Sequence, residues 1–300
     1  MPETRKAEFT IGIIGAGKVG GTLARLWYAR GYTISAIYSR SPERAASLAA
    51  IVAARAVSRV EDVPSHADLT VIAVPDDVVE QVADGMADAD WRGRGAVHTC
   101  GSKDAGALAE LEKRGAMTGG LHPAFPFADV ETAIMGLLGA AFAVEAAPQT
   151  PLSAWLVDLV AALDGKLISI PPGGKALYHA ALVIASNYTV TLYAVAESLL
   201  RQLGADHPTA EAALNPLVGG TVDNLAVHGV PAALTGPLTR LDTATIGSHL
   251  RALAAVDTSL VEMYRGLARL SYPMLKLRGL TPEPIESLFS QDSDHANDNT

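Results

Sequence analysis

Short apolar runs and amphipathic stretches alternate from the start of the chain. Residues 9–14 (Phe9-Thr10-Ile11-Gly12-Ile13-Ile14) form an apolar run that predicts a buried strand, and 19–30 follow with a helical pattern stopped by Gly31. Residues 32–38 predict a second strand. Residues 42–54 predict a second helix, with Pro42 at a position that a helix start tolerates. Further strands are expected at 69–74 and 96–99, and weaker ones at 141–144 and 166–170 around a helix near 152–163. This alternation predicts an α/β fold, a doubly wound parallel sheet with helices on both faces.

Pro171-Pro172-Gly173-Gly174 breaks the pattern, and strand signals nearly vanish after it. Residues 175–203 read as one long helix, with more helical patterns at 209–227, 243–254, 258–270 and 282–288. The expected organisation is a nucleotide-binding domain over 1–172, an all-helical C-terminal domain over 173–289 and a disordered tail over 290–300. No long-period repeat is present.

Composition narrows the class. Of 300 residues, 49% are hydrophobic and 18% charged, enough for a substantial core. A net charge of −9 argues against sequence-independent nucleic-acid binding, yet it leaves room for a locally positive site that takes an anion. Cys100 is the single cysteine, so no internal disulfide forms and a reducing compartment fits. The first residues lack the long apolar stretch of a signal peptide, and the apolar run 176–185 is too short to span a bilayer. The expectation is a soluble, cytoplasmic protein without a membrane partner.

The chemistry begins at Gly15-Ala16-Gly17-Lys18-Val19-Gly20, a GxGxxG turn with a strand before it and a helix behind it. The first Gly allows the tight turn, the second lets the backbone approach a pyrophosphate, and the third allows close helix–strand packing. An ordinary βα turn is the bland alternative. At the end of the second strand, where an NAD site commonly has Asp or Glu, stands Tyr38-Ser39-Arg40-Ser41. Arg40 suits a 2′-phosphate, with Ser39 and Ser41 as donors, and this favours NADP over NAD; a solvated Arg40 is the alternative. Val74 and Pro75, and Thr99 and Gly101, end later strands and are expected along the cofactor. Cys100 reads as a small buried thiol rather than a nucleophile.

In the helix after the break, Lys175, His179 and Ser186 share one face, with Asn187 beside it. Lys175 sits at a helix N-terminus, where a cation is disfavoured, so it needs an offsetting interaction such as an anionic ligand. Lys175 or His179 is a candidate proton donor for hydride chemistry, and Asn187 a substrate ligand. His179 as a core histidine remains the alternative. His122, in Gly120-Leu121-His122-Pro123, reads equally as a turn histidine or a site residue. Leu234-Thr235-Gly236-Pro237 is a turn, with Arg240 and Asp242 after it. No Cys/His/Asp spacing fits a metal.

At these residues the chain resembles uncharacterised bacterial proteins with a Rossmann-like domain followed by a helical domain of unknown function. These are similar to the superfamily of ketopantoate reductase, pyrroline-5-carboxylate reductase and 6-phosphogluconate dehydrogenase. The resemblance covers roughly 9–289. It rests on Gly15–Gly20, Ala73-Val74-Pro75-Asp76, His98-Thr99-Cys100-Gly101-Ser102, His122-Pro123, the segment from Lys175 to Asn187, and Ala233–Pro237 with Arg240 and Asp242. Cys100 replaces a usual Ser, and Leu241 a usual Gly. The resemblance implies Lys175 as general acid, Asn187 as a substrate or cofactor ligand, and a homodimer with its helical domains packed together.

The expected function is hydride transfer between NADP(H) and a carbonyl or imine carbon of a small carboxylate metabolite. A non-catalytic NADP-binding regulator, and an oxidoreductase that pairs NADP with a deazaflavin, are the alternatives.

Overall fold

The computed structural model describes residues 9–297, and side chains through Ser290. Eight strands form one sheet: β1 (Thr10–Ile14), β2 (Thr33–Tyr38), β3 (Arg55–Ala56), β4 (Leu69–Ile72), β5 (Gly95–His98), β6 (Met117–Pro123), β7 (Ala141–Ala146) and β8 (Lys166–Ser169). Their order across the sheet is β3-β2-β1-β4-β5-β6-β7-β8. All neighbours are parallel except β6 and β7, which run antiparallel. The parallel sheet expected from the sequence is thus present, with this one pair reversed. The reversal arises because the link from β6 to β7 carries only one short helix and returns along the same edge.

Helices cover both faces: α1 (Lys18–Ala29), α2 (Pro42–Ile51), α3 (Val63–His66), α4 (Val79–Asp84), α5 (Ala109–Lys113), α6 (Val130–Gly136) and α7 (Pro151–Ala161). The period-2 alternation of a strand divides the core. Ile11 and Ile13 of β1 join one buried cluster with Leu23, Trp27 and Leu159, while Ile14 joins the other with Val63, Val79 and Trp91. Gly12 faces α3 so closely that a Cβ there would lie 2.5 Å from Val63 Cγ1.

Strand β6 was not expected, because Gly119, Gly120 and Pro123 read as loop. Both glycines are there for close approach. A Cβ on Gly119 would lie 2.4 Å from the Glu145 carbonyl oxygen, and one on Gly120 3.2 Å from Lys175 Nζ. His122 is therefore a strand residue and not a turn residue. Strand β3 was also missed, being two residues long.

After β8 the chain is helical: α8 (Lys175–Ala185), α9 (Asn187–Gln202), α10 (His207–His228), α11 (Thr243–Ala254), α12 (Thr258–Leu270), α13 (Tyr272–Leu277) and α14 (Glu283–Asn297). The single helix expected over 175–203 is two helices that meet at Ser186. Lys175–Gln202 together are 28 residues of mean hydropathy 1.2, long and apolar enough by length and composition to cross a membrane. The apolar segment is thus longer than the ten residues read from sequence. α14 runs through Asn297; residues 298–300, like 1–8, lie outside the described residues.

Contacts divide the chain into two compact units, 1–191 and 192–300. The strands end where the Pro/Gly cluster was expected to end them, but the division by contacts falls later, within α9, so α8 goes with the sheet. The second unit has its own core, which includes Ile246, Leu250, Leu275, Ile285 and Phe289. There Asp242 caps α11, accepting from the Thr245 amide at 3.0 Å. Leu241 keeps the turn that a Gly would make by adopting a left-handed conformation at φ 53°.

Candidate functional site

Strands β2, β1, β4, β5 and β6 are parallel neighbours in that order, so their carboxyl ends share one edge of the sheet. Ser39 and Arg40, Gly15, Val74 and Pro75, Thr99 and Gly101, and His122 therefore follow one another along it. The connection reverses direction between β1 and β4, which is where such sheets bind ligands. From β2 to β5 there are three interstrand steps, about 14 Å at ~4.8 Å each. That is a fitting span for an extended dinucleotide.

The glycine turn has the geometry that its spacing predicts. Gly15 has φ +104°, and a Cβ there would lie 2.1 Å from the Ala73 carbonyl oxygen. A Cβ on Gly20 would lie 2.0 Å from the Gly15 carbonyl oxygen, so the start of α1 packs directly on the turn. At Gly17 a Cβ would meet nothing within 4 Å. Packing therefore does not require glycine at position 17, and the open space above it suits a pyrophosphate. Gly17 is the N-cap of α1 and provides no side-chain cap; the first turn, from Lys18 and Val19 onward, holds no acid. Its free amides and helix dipole are available to an anion.

At the adenosine end, Arg40 is exposed, with no ion pair among the described residues. Ser39 Oγ accepts from the Ser41 amide at 3.3 Å. Ser41 is the N-cap of α2: its Oγ accepts from the Arg44 amide and donates to Glu43 at 2.8 Å. Ser41 is thus committed to the helix start, which leaves Arg40 and Ser39 as the groups best placed for a 2′-phosphate.

Beyond β5, the segment after His98 folds back on its own histidine. His98 Nε2–H donates to the Asp104 carbonyl at 2.9 Å, and His98 Nδ1 accepts from the Cys100 amide at 3.2 Å. Both ring nitrogens are satisfied in one neutral tautomer, and burial holds the pKa of His98 below its ordinary value. The ring is a brace for the turn. Cys100 is buried, and desolvation together with Asp76 pushes its thiol pKa well up, so it is inert.

Lys175 lies behind this turn. Its side chain is only 2% exposed, and Nζ donates to the Cys100 carbonyl at 2.9 Å. No carboxylate lies within ion-pair distance among the described residues. Burial lowers its pKa, opposed by the more distant negative charges of Glu145, Asp76 and Asp104. The offset that Lys175 requires at the start of α8 thus comes from the Cys100 carbonyl and the Tyr178 ring, whose centroid is 6.0 Å from Nζ, and Gly120 leaves the room for it.

His122, at the end of β6, and Tyr178 and His179, on α8, come together over Gly101. A Cβ on Gly101 would lie 2.7 Å from His179 Nδ1 and 2.9 Å from His122 Nε2. His122 Nδ1 is hydrogen-bonded to the Tyr178 hydroxyl at 2.8 Å. Burial first, and the Lys175 cation second, lower the His122 pKa to about 4, so its ring is neutral at physiological pH. Burial also raises Tyr178 to about 12. His179 Nδ1 is buried without a hydrogen-bond partner, and such an atom invites a ligand group.

A cavity of about 550 Å³ opens at these residues, the size of a small-molecule site. Its polar lining comes from His122, His179, Ser186, Asn187 and Thr189, and Phe125 and Leu182 are among its apolar walls. Of the residues singled out in the long helix, His179, Ser186 and Asn187 reach this cavity and Lys175 does not. Sequence reasoning left His122 undecided and passed over Tyr178. A polar pair next to His179 on the helix was the available signal for Tyr178.

Comparison with known proteins bears on the fold and the domain content. Residues 10–100 match the family model described as "NADP oxidoreductase coenzyme F420-dependent", and residues 140–271 match a domain of unknown function, DUF2520. None of the curated proteins matches the sequence. Among solved structures, the chain is similar to a Bacteroides fragilis protein named as an NADP oxidoreductase, BF3122. The two are 26% identical over 87% of this chain and 96% of that one, with a TM-score of 0.66. It is similar in fold to a reductive aminase from Aspergillus terreus in complex with NADPH and ethyl-5-oxohexanoate, at 17% identity, 88% and 94% coverage and a TM-score of 0.62. It is likewise similar to a Plasmodium falciparum pyrroline carboxylate reductase with NADP bound, at 15% identity, 90% and 99% coverage and a TM-score of 0.59. Fold and domain content make the protein an NADP-dependent oxidoreductase, with a Rossmann-like sheet followed by a helical region.

Proposed function

We propose that the protein transfers hydride between NADP(H), laid along the carboxyl edge of the sheet, and the carbonyl or imine carbon of a small carboxylate metabolite held in the His122–His179 cavity. The observation that carries this reading is the unpartnered, buried His179 Nδ1, converging with His122 on a cavity at the edge where the cofactor residues end. NADPH, when bound, supplies the hydride. The turn from Gly15 to Gly20 holds the pyrophosphate, Arg40 and Ser39 take the 2′-phosphate, and Val74, Pro75, Thr99 and Gly101 border the rest.

In this reading His179 is the proton donor to the substrate heteroatom, and neutral His122, oriented by Tyr178, holds that atom by a hydrogen bond. Asn187 and Ser186 orient the substrate's polar end. Lys175, the general acid that the family resemblance implied, contributes its charge from behind the wall. The other sequence expectations, a cytoplasmic homodimer with no nucleic-acid or membrane partner, stay part of the proposal. Leu177 and Ile184 of α8 and Tyr188 at the start of α9 support the dimer, being large apolar or aromatic side chains left exposed.

Fluorescence titration with NADPH, followed by a turnover screen of oxo acids and cyclic imines, tests the reading. His179→Gln is expected to lower kcat by ~10²–10⁴ with NADPH affinity retained. Tight NADPH binding with no turnover across the screen would replace the enzyme with a regulator. A second reading, hydride exchange between NADP(H) and a deazaflavin, is favoured by the description of the model matched at 10–100; a reduced deazaflavin in the same screen separates the two.

A further inference from the structure

We propose that the cavity selects a neutral or anionic carbonyl compound, an oxo acid, and rejects an iminium cation. This rests on the hydride-transfer reading above and divides its two substrate classes. The first observation is the lining: among the described residues that line the cavity, none is Asp or Glu. A cationic substrate placed there would lose its water without gaining a counter-charge.

The second observation is what stands behind the wall. The Lys175 ammonium is fully buried, and its hydrogen-bond partner is a carbonyl rather than a carboxylate. The acids whose charges reach Lys175 do not line the cavity, although Asp76 is near enough to act on His122 and His179. Asp76 Oδ2 accepts from the Ser102 hydroxyl at 2.6 Å, and Glu145 Oε2 accepts from the Ala105 amide at 2.9 Å. The balance of these charges is felt at His122, where the lowering by Lys175 outranks the opposing effect of Asp76. Lys175 thus places a positive charge behind a wall whose described residues include no carboxylate, in a protein that as a whole carries −9.

The chemistry closes on the same groups. In oxo-acid reduction the carbonyl carbon accepts a hydride from bound NADPH, and the C=O π pair moves to oxygen. That oxygen takes a proton from His179. The oxo acid is reduced to a hydroxy acid and NADPH is oxidised to NADP⁺. Negative charge develops on oxygen beside two imidazole groups and in the field of Lys175. An iminium ion needs none of this, since hydride alone neutralises it.

The test uses the full chain loaded with NADP⁺, with calorimetric binding of 2-oxobutyrate and of pyrrolidinium, an unreactive mimic of a cyclic iminium. The oxo acid is expected to bind more tightly by about tenfold or more, the scale of one unit-charge interaction at partial burial. Asn187→Asp, an exposed position that tolerates the change, is expected to shift this ratio at least about tenfold toward pyrrolidinium. With NADPH, kcat/KM for 2-oxobutyrate is expected to exceed that for 1-pyrroline. Pyrrolidinium binding as tightly as the oxo acid, binding of neither, or faster turnover of 1-pyrroline overturns the proposal. Preferential oxo-acid binding without turnover of any substrate supports the selection and refutes hydride transfer.

Discussion

The arrangement over Gly101 makes a quantitative prediction for Gly101→Ala. The backbone of Gly101 is outside the left-handed region, so alanine meets no conformational barrier. Its Cβ, however, would stand 2.7 Å from His179 Nδ1 and 2.9 Å from His122 Nε2, where ordinary contact begins at 3.4 Å. His179 must then recede by about 0.7 Å and His122 by about 0.5 Å, both from positions that converge on the cavity. Overpacking of this kind typically lowers stability by ~1–3 kcal/mol, which a urea midpoint would register while the protein remains folded. Displacing a reacting group by about 1 Å lowers rates by ~10²-fold, so kcat is expected to fall roughly that far. Steady-state kinetics on the best oxo-acid substrate, beside urea unfolding of the same variant, gives both numbers. A folded Gly101→Ala protein with kcat within twofold of the parent would refute the claim that these two imidazole positions matter.

Other predictions follow from the same geometry. Gly17→Val is expected to fold with a loss of about 1 kcal/mol or less, since nothing crowds that position, yet to lose NADPH binding by fluorescence titration; Gly20→Ala, meeting a backbone oxygen at 2.0 Å, is expected to destabilise the fold itself. Arg40→Ala removes a charge-assisted contact of ~1.5–3 kcal/mol and should weaken NADPH binding by ~10–150-fold while leaving NADH little changed; equal losses for both cofactors would count against the 2′-phosphate role. His122, held at about 4 against 6.5 when unfolded, binds its proton in the unfolded state first as pH falls. Stability is therefore expected to drop between roughly pH 6.5 and 4, by at most ~3.5 kcal/mol from this group at ~1.4 kcal/mol per unit. His122→Phe, compared by urea unfolding at pH 7 and pH 4.5, should lose less on acidification.

Much of this was readable from the chain because it depends on local order. The turn at Gly15, the missing carboxylate at Ser39–Arg40 and the spacing from His179 to Asn187 are neighbours in sequence, and the structure places them accordingly. β6 was hidden because Gly119 and Gly120 are there for partners that sequence does not reveal, the β7 backbone and the Lys175 ammonium. His122 was left undecided for the same reason. Lys175 was recognised as needing compensation, but its side chain turns inward to a carbonyl some 75 residues earlier in the chain. Its true neighbours could be identified only once β5, β6 and α8 were in place.

The burial of Lys175 also sets how the site responds to its medium. Mobile ions screen charges that solvent reaches, over a Debye length of about 8 Å at physiological ionic strength, and screen buried ones far less. Arg40 projects into solvent, so the hold on a 2′-phosphate proposed for it would weaken as salt rises. The field of Lys175 reaches the cavity through protein, from a side chain that water scarcely touches. Under the proposed roles, ionic strength would tune how well the cofactor is held, while the preference for one substrate charge over another would be set when the chain folds.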